Sequence, residues 1–195
     1  KKRKKFEGNI AIITGGAGKI GSAIANKFLN ENIEVVLLDK NFSNIEEEIK
    51  NKCTCIKCDL SNKEEVKLSI NKVVSKFGGI DILISNSGSA FQGQMKDLDE
   101  KILQKSMSNN FYSHHYIIQE TVKIMINQSF GGTISINLSK QSINPGNNFG
   151  PYGIAKASAL FMMKQYALEC GKYNIRVNGV NADRIQSGLL TKEMI

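Results

Sequence analysis

The sequence predicts a doubly wound parallel α/β sheet with helices on both faces, a three-layer α/β/α arrangement. Three observations carry that prediction. Short apolar runs suited to buried parallel strands alternate with helical patterns along the chain. A glycine-rich turn, TGGAGKIG, joins the first such run to the first helix. The spacing leaves room for a helix between successive strands, so the connections are βαβ crossovers, which are almost always right-handed. At 195 residues the chain can build one domain with a sizeable core.

NIAIIT (9–14) is the first strand, and KIGSAIANKFLNEN (19–32) is the helix that follows its turn. EVVLLD (34–39) is the second strand. FSNIEEEIKNK (42–52) reads as a short helix, with Ser43 as N-cap and Glu46 three residues on completing a capping box. TCIKCDL (54–60) is the third strand, and SNKEEVKLSINKVVSKFG (61–78) is an amphipathic helix closed by Gly78. DILIS (81–85) is the fourth strand, followed by a helical region from about Asp99 to Gln128. GTISINLS (132–139) is the fifth strand. A helix begins at GPYGIAKAS (150–158), with Pro151 in its first turn, where a missing N–H costs nothing. NIRVNGVN (174–181) is the sixth strand.

Bulk properties exclude several classes. The formal charge is +8, but five basic residues open the chain as KKRKK, and removing them from +8 leaves +3. The remaining cations are not gathered with arginine or aromatic readers, so no nucleic-acid partner is expected. No apolar run approaches the roughly 18 residues that span a membrane, and no secretory signal precedes the first strand. Three of the four cysteines, Cys53, Cys55 and Cys58, crowd into CTCIKC, and Cys170 stands apart. Cys55 and Cys58 fall in a strand-like run and no second His or Cys cluster completes a tetrahedral site, so no metal is expected. Reduced thiols and a cytoplasmic location follow. His114 and His115 lack a carboxylate or cysteine partner at ligand spacing and read as helix residues.

The glycine turn gives the first chemistry. Gly16, Gly18 and Gly21 fit G-x-G-x-x-G between a strand and a helix, the context in which that pattern holds a dinucleotide. Glycines let backbone amides approach a pyrophosphate, and the helix N-terminus supplies partial positive charge. The second strand ends in Asp39, 18 residues beyond Gly21, where a carboxylate accepts from adenosine ribose hydroxyls and repels a 2′-phosphate. NAD is therefore expected over NADP, although Lys19 and Lys40 stand close to the same turn. Residues 1–6 read as a basic linker or tail, and 7–195 as a single NAD(P)-binding Rossmann domain.

Tyr152 and Lys156 fall at i and i+4, on one face of a helix near its N-terminus. With that pair added to the glycine turn, the chain resembles the short-chain dehydrogenase/reductase family. TGGAGKIG is similar to the family's TGxxxGxG turn, with Gly15 and Gly21 in place and Lys19 and Ile20 between. Asp59 in CDL matches the acidic residue that contacts adenine, with Leu60 beside it. SNSG (85–88) resembles NNAG, keeping Asn86 and Gly88. Asn110 falls at the family's helix asparagine, and Ser139 lies 13 residues before Tyr152, the family's spacing for the catalytic serine.

The resemblance implies a nicotinamide-dependent oxidoreductase acting on a small-molecule substrate. Tyr152 would be the general acid/base. Lys156 would lower the Tyr152 pKa and bind the nicotinamide ribose, Ser139 would hydrogen-bond the substrate oxygen, and Asn110 would hold a water relaying protons to Lys156. Softening a phenol by two to three units takes about 3–4 kcal/mol, supplied jointly by Lys156, the helix end and a bound nicotinamide. The resemblance also implies a homo-oligomer, formed through the long helices, with Leu160, Phe161, Met162 and Met163 serving core and interface.

The chain also departs from the family. Lys19 replaces a glycine, Ala182 and Asp183 replace Pro-Gly, and Ser187 stands where a threonine would contact the carboxamide. The chain does not start with Met, and it stops before the family's substrate loop and last strand, so it is expected to be part of a longer polypeptide. A narrower similarity, of SKQSINPGNNFGPYGIAKA and VNADRIQSGLL, is to the dehydrogenase half of bacterial fusions that carry a class II-type aldolase first. That similarity implies a covalently fused N-terminal aldolase domain and a sugar-derived alcohol, aldehyde or ketone as substrate. Two other functions remain open to the sequence: a non-catalytic dinucleotide-binding module, and a nucleotide-sugar epimerase or dehydratase.

Overall fold

The computed structural model describes residues 9–183 and 185. Six strands, β1 (Ile10–Thr14), β2 (Glu34–Asp39), β3 (Thr54–Lys57), β4 (Ile82–Ser85), β5 (Gly132–Asn137) and β6 (Ile175–Val180), form one parallel sheet in the order β3-β2-β1-β4-β5-β6. The helices are α1 (Lys19–Asn30), α2 (Glu47–Lys52), α3 (Lys63–Phe77), α4 (Glu100–Met107), α5 (Ser113–Gln128) and α6 (Gly150–Cys170). Alternation along each strand sends side chains to opposite faces. Ile12, Val36, Leu38, Leu83 and Ile134 pack beneath α3, α5 and α6 through Val73, Ile117, Ile118 and Met162. Ile13, Val35 and Leu37 face the other way, against Ala25 of α1 and Ile49 of α2. Each fully buried aliphatic side chain contributes about 1.5–3 kcal/mol, so the two clusters hold the expected three-layer doubly wound fold.

The direction of winding reverses between β1 and β4. Chain progress runs β1 to β3 toward one edge, then crosses back to β4 on the far side of β1. Loops at the carboxyl ends of β1 and β4 therefore part, and such a switch point is where open α/β sheets bind ligands.

Local departures from the sequence reading have physical causes. Ser43 caps no helix. Asn41 Oδ1 takes the Ser43 N–H at 2.8 Å in a side-chain turn, and α2 begins later, after Glu46, with no side-chain cap. β3 ends at Lys57 rather than residue 60, because Asp59 Oδ1 accepts from Ser61 N at 2.9 Å and folds the chain toward α3. The cap of α3 is Asn62, which accepts from Glu64 N and Glu65 N, while Gly78 closes the helix at φ 90° as expected. The helical stretch after Asp99 is interrupted at Ser108–Tyr112 by a wide turn in which Ser113 N donates to Ser108 O. Such wide turns are rare and recur at functional sites.

Candidate active site

The glycine turn folds against its own backbone. Gly15 adopts φ +60°, a conformation that side chains resist, and a Cβ on Gly21 would stand 2.2 Å from Gly15 O. Helix α1 thus packs directly on the turn, with Gly18 at its N-cap and no side chain capping it. Asp39, at the end of β2, accepts from Ala17 N at 3.0 Å and Asn41 N at 3.3 Å, which holds its carboxylate beside the turn. Lys40 pairs with Asp59 at 3.0 Å. Burial pushes the Asp59 carboxyl up, but bonds from Ser61 and the Lys40 ammonium outweigh it and hold the group below its ordinary range.

A cleft of about 300 Å³ opens over this turn. Gly15, Gly18, Lys19, Ile20, Asp39, Asp59, Leu60, Asn86 and Gly88 all line it. Gly16 and Gly21 shape the turn from behind: a Cβ on Gly16 would meet Leu37 at 2.8 Å. Ser187 lies outside the described residues.

A second cavity, about 500 Å³, adjoins the first and shares Ile20, Asn86, Gly88 and Asn137 with it. Ser139, Tyr152 and Lys156 line it. Pro151 starts α6 as the sequence suggests, which aims Tyr152 at the strand-end residue Ser139. Burial pushes the Tyr152 phenol above its ordinary pKa, and the nearby Ser139 hydroxyl pulls it back only partly. Lys156, whose Nζ stands 5.8 Å from the Tyr152 ring, is itself buried and brought down to about 7 by that burial.

Asn110 is fully buried at the wide turn before α5. Its Oδ1 accepts from Ser89 N at 2.9 Å, and its Nδ2 donates to Ser89 O at 2.9 Å and Ser106 Oγ at 3.2 Å. The side chain thus clamps the turn after β4. A Cβ on Gly88 would come 2.8 Å from Asn110 Oδ1, so the clamp needs a glycine there.

Several members of this site escaped the sequence reading. Thr14 Oγ1 accepts from Asn86 N at 2.8 Å and Ser87 N at 3.1 Å, knitting β1 to β4 across the switch point. Asn137 Nδ2 donates to Asn86 Oδ1 at 2.9 Å, and its carbonyl accepts from Lys156 Nζ at 2.8 Å. His114 is fully buried, with Nδ1 2.7 Å from Ser85 Oγ and Nε2 3.3 Å from Lys156 Nζ. The available signal was spacing: His114 follows Asn110 by four, which puts both on one helical face.

The model of the short chain dehydrogenase family matches residues 9–194. The chain belongs to the short-chain dehydrogenase/reductase family. It is 28% identical over 201 residues to a (+)-cis,cis-nepetalactol synthase of Nepeta racemosa, covering 99% of this chain and 74% of the relative. It is 32% identical over 186 residues to short-chain dehydrogenase reductase 3a of Arabidopsis thaliana, covering 90% and 70%. Among solved structures, an NAD+-bound xylitol dehydrogenase superposes with a TM-score of 0.86 at 27% identity, covering 92% of this chain and 72% of that one. These names lend no support to an aldolase fusion.

Members of the family are oxidoreductases that bind nicotinamide dinucleotides. The residues present fit that group: an α1 N-terminus without a side-chain cap, a turn floored by bare glycine backbone, and a carboxylate at the β2 end. Among the described residues no His, Cys, Asp or Glu cluster suits a metal ion, and no helix is long and apolar enough to cross a membrane.

Proposed function

We propose that this protein is an NAD-dependent oxidoreductase that interconverts a small, sugar-derived alcohol and its carbonyl compound. The observation that carries the reading is that Ser139, Tyr152 and, one turn on, Lys156 line one cavity that adjoins the glycine-turn cleft. The dinucleotide, when bound, supplies the hydride chemistry; the residues of this chain handle the proton and the geometry. Tyr152 Oη exchanges the proton with the substrate oxygen, and Ser139 Oγ donates to that oxygen as charge develops on it. Lys156 stands behind both groups and binds the nicotinamide ribose. Asn110 keeps the Gly88–Ser89 turn open for the dinucleotide. The cavity is also lined by Gln141, Asn144 and Asn147, whose amides both donate and accept and so suit a hydroxyl-rich substrate. The similarity to a xylitol dehydrogenase supports the same class.

Asp39 supports NAD over NADP. Its carboxylate is fixed beside the turn, and Lys40, the next residue, is already paired with Asp59. Fluorescence titration is expected to show NADH binding more tightly than NADPH, with turnover on short polyols or sugars. Asp39→Ser is expected to weaken NADH by about tenfold, the loss of one charge-assisted bond, and to narrow its advantage over NADPH. A wild-type preference for NADPH would overturn the cofactor assignment, and binding without turnover across the panel would overturn the enzyme.

The family's usual assembly also has a matching surface. Phe161 and Leu168 are 70% and 78% exposed, seven residues apart on α6, and Phe161 borders a groove formed with Phe111, His115 and Tyr166. We infer a homo-oligomer through α5 and α6. Phe161→Glu is expected to reduce the mass measured by light scattering to that of a smaller assembly or monomer; an unchanged mass would place the interface elsewhere. The thiols are unpaired, and burial pushes Cys53 up to about 11, which keeps that thiol protonated and unreactive at neutral pH.

A further inference from the structure

His114 is a fully buried ionisable side chain that the chemistry above does not use. It projects from the first turn of α5 between two polar groups of other elements. Ser85 Oγ, at the end of β4, lies 2.7 Å from Nδ1, and Lys156 Nζ, on α6, lies 3.3 Å from Nε2. A second bond of Lys156 runs to the Asn137 carbonyl at 2.8 Å. An ammonium has donors and no acceptor. Against a charged Lys156, Nε2 must therefore accept, the ring proton must sit on Nδ1, and Nδ1 must donate to Ser85 Oγ. One serine and one lysine thus select a single neutral tautomer.

We propose that His114, oriented by Ser85, is a positioning residue for Lys156, the side-chain acceptor that keeps its amine protonated and fixed beneath the Tyr152 ring. The inference rests on the proposed role of Lys156. Burial opposes charge on both partners. It drives His114 well below its ordinary value, with the Lys156 charge adding to the effect, and it lowers Lys156. A neutral imidazole is the partner that favours the charged amine, because accepting a hydrogen bond from the ionised form stabilises that form. The groups facing Lys156 are few. α5 presents His114, β4 presents Ser85 behind it, and β5 presents the Asn137 carbonyl. The turn after β4 brings Gly88 close, and α6 itself offers the Tyr152 ring. Among the described residues no carboxylate is paired with Lys156, so His114 is the side chain left to hold its charge.

The test reads Lys156 directly, without substrate or cofactor. In protein carrying 13C-labelled lysine, the ε-carbon of a lysine titrating near 7 moves between pH 5 and 9, where ordinary lysines stay still. Lys156→Met assigns that resonance by its loss. His114→Leu is expected to move the midpoint down by about one pH unit or more, the worth of one bond to a charged group. His114→Gln, which keeps an acceptor, is expected to restore most of the shift. Nitrogen-15 spectra of the wild-type imidazole are expected to show a neutral ring protonated at Nδ1. An unmoved midpoint in His114→Leu, or a wild-type ring protonated at Nε2, would overturn the proposal. The second readout stands even if the leucine variant does not fold. Survival of turnover in Tyr152→Phe would sink the oxidoreductase reading without moving the Lys156 midpoint, so the two failures are distinct.

Discussion

Tyr152→Phe is expected to lower turnover by about 10²–10⁴-fold, the usual worth of a positioned acid/base, while NADH still binds. The substitution removes one oxygen and leaves the ring. That ring keeps its edge-on contact with Phe149, centroids 6.3 Å apart, and its place beside Lys156 Nζ. Removing one hydroxyl costs about 1 kcal/mol of stability, too little to unfold a domain of this size. The measurement pairs kcat/KM on the best substrate with NADH fluorescence, so that lost chemistry is separated from lost binding. Burial holds the phenol above its ordinary range in the protein alone, so a pH profile with its midpoint below that range would report lowering by a charged Lys156 together with the bound nicotinamide. Near wild-type turnover in the phenylalanine variant would mean that the proton moves elsewhere.

Gly21→Ala is the second large effect expected. The added methyl would lie 2.2 Å from Gly15 O and 2.8 Å from Gly16 Cα, both backbone atoms of the turn, so no side chain can swing away to receive it. Helix α1 must shift off the turn, at a cost of roughly 2–3 kcal/mol for overpacking and a fall in Tm of about 5–10 °C. The same shift moves the α1 N-terminus off the turn, so NADH affinity is expected to fall more than tenfold. Gly18→Ala is the control for stability. Its methyl would meet only Gly15 O, at 3.3 Å, a contact that a few tenths of an ångström relieve. Calorimetry on the two variants checks the contrast in stability, and fluorescence titration of Gly21→Ala checks the loss of affinity. Equal, small effects would show that α1 does not rest on the turn as described.

The sequence carried the strand and helix order because each signal is local. Alternating apolar runs, Gly78 as a helix stop and Pro151 as a start depend on neighbours a few residues away, and the structure keeps all of them. Local signals also misled. Ser43 and Glu46 fit a capping box, yet Asn41 captures the Ser43 amide first, a competition between two short-range turns that spacing alone cannot rank. The wide turn at Ser108–Tyr112 had no composition mark at all.

The sequence by itself determined the parallel sheet, the dinucleotide turn and the Tyr152–Lys156 pair, since each is written within one strand-turn-helix unit. Only the tertiary structure decided the surroundings of that lysine. His114 meets Ser85 across 29 residues and Lys156 across 42, and the Asn137 carbonyl reaches Lys156 across 19. Those bonds exist because α5, α6 and the ends of β4 and β5 are packed into one layer contact. The physical reason is range: periodicity and turn chemistry act over a few residues, whereas the charge state of a buried amine is set by whichever distant groups the packing brings to it.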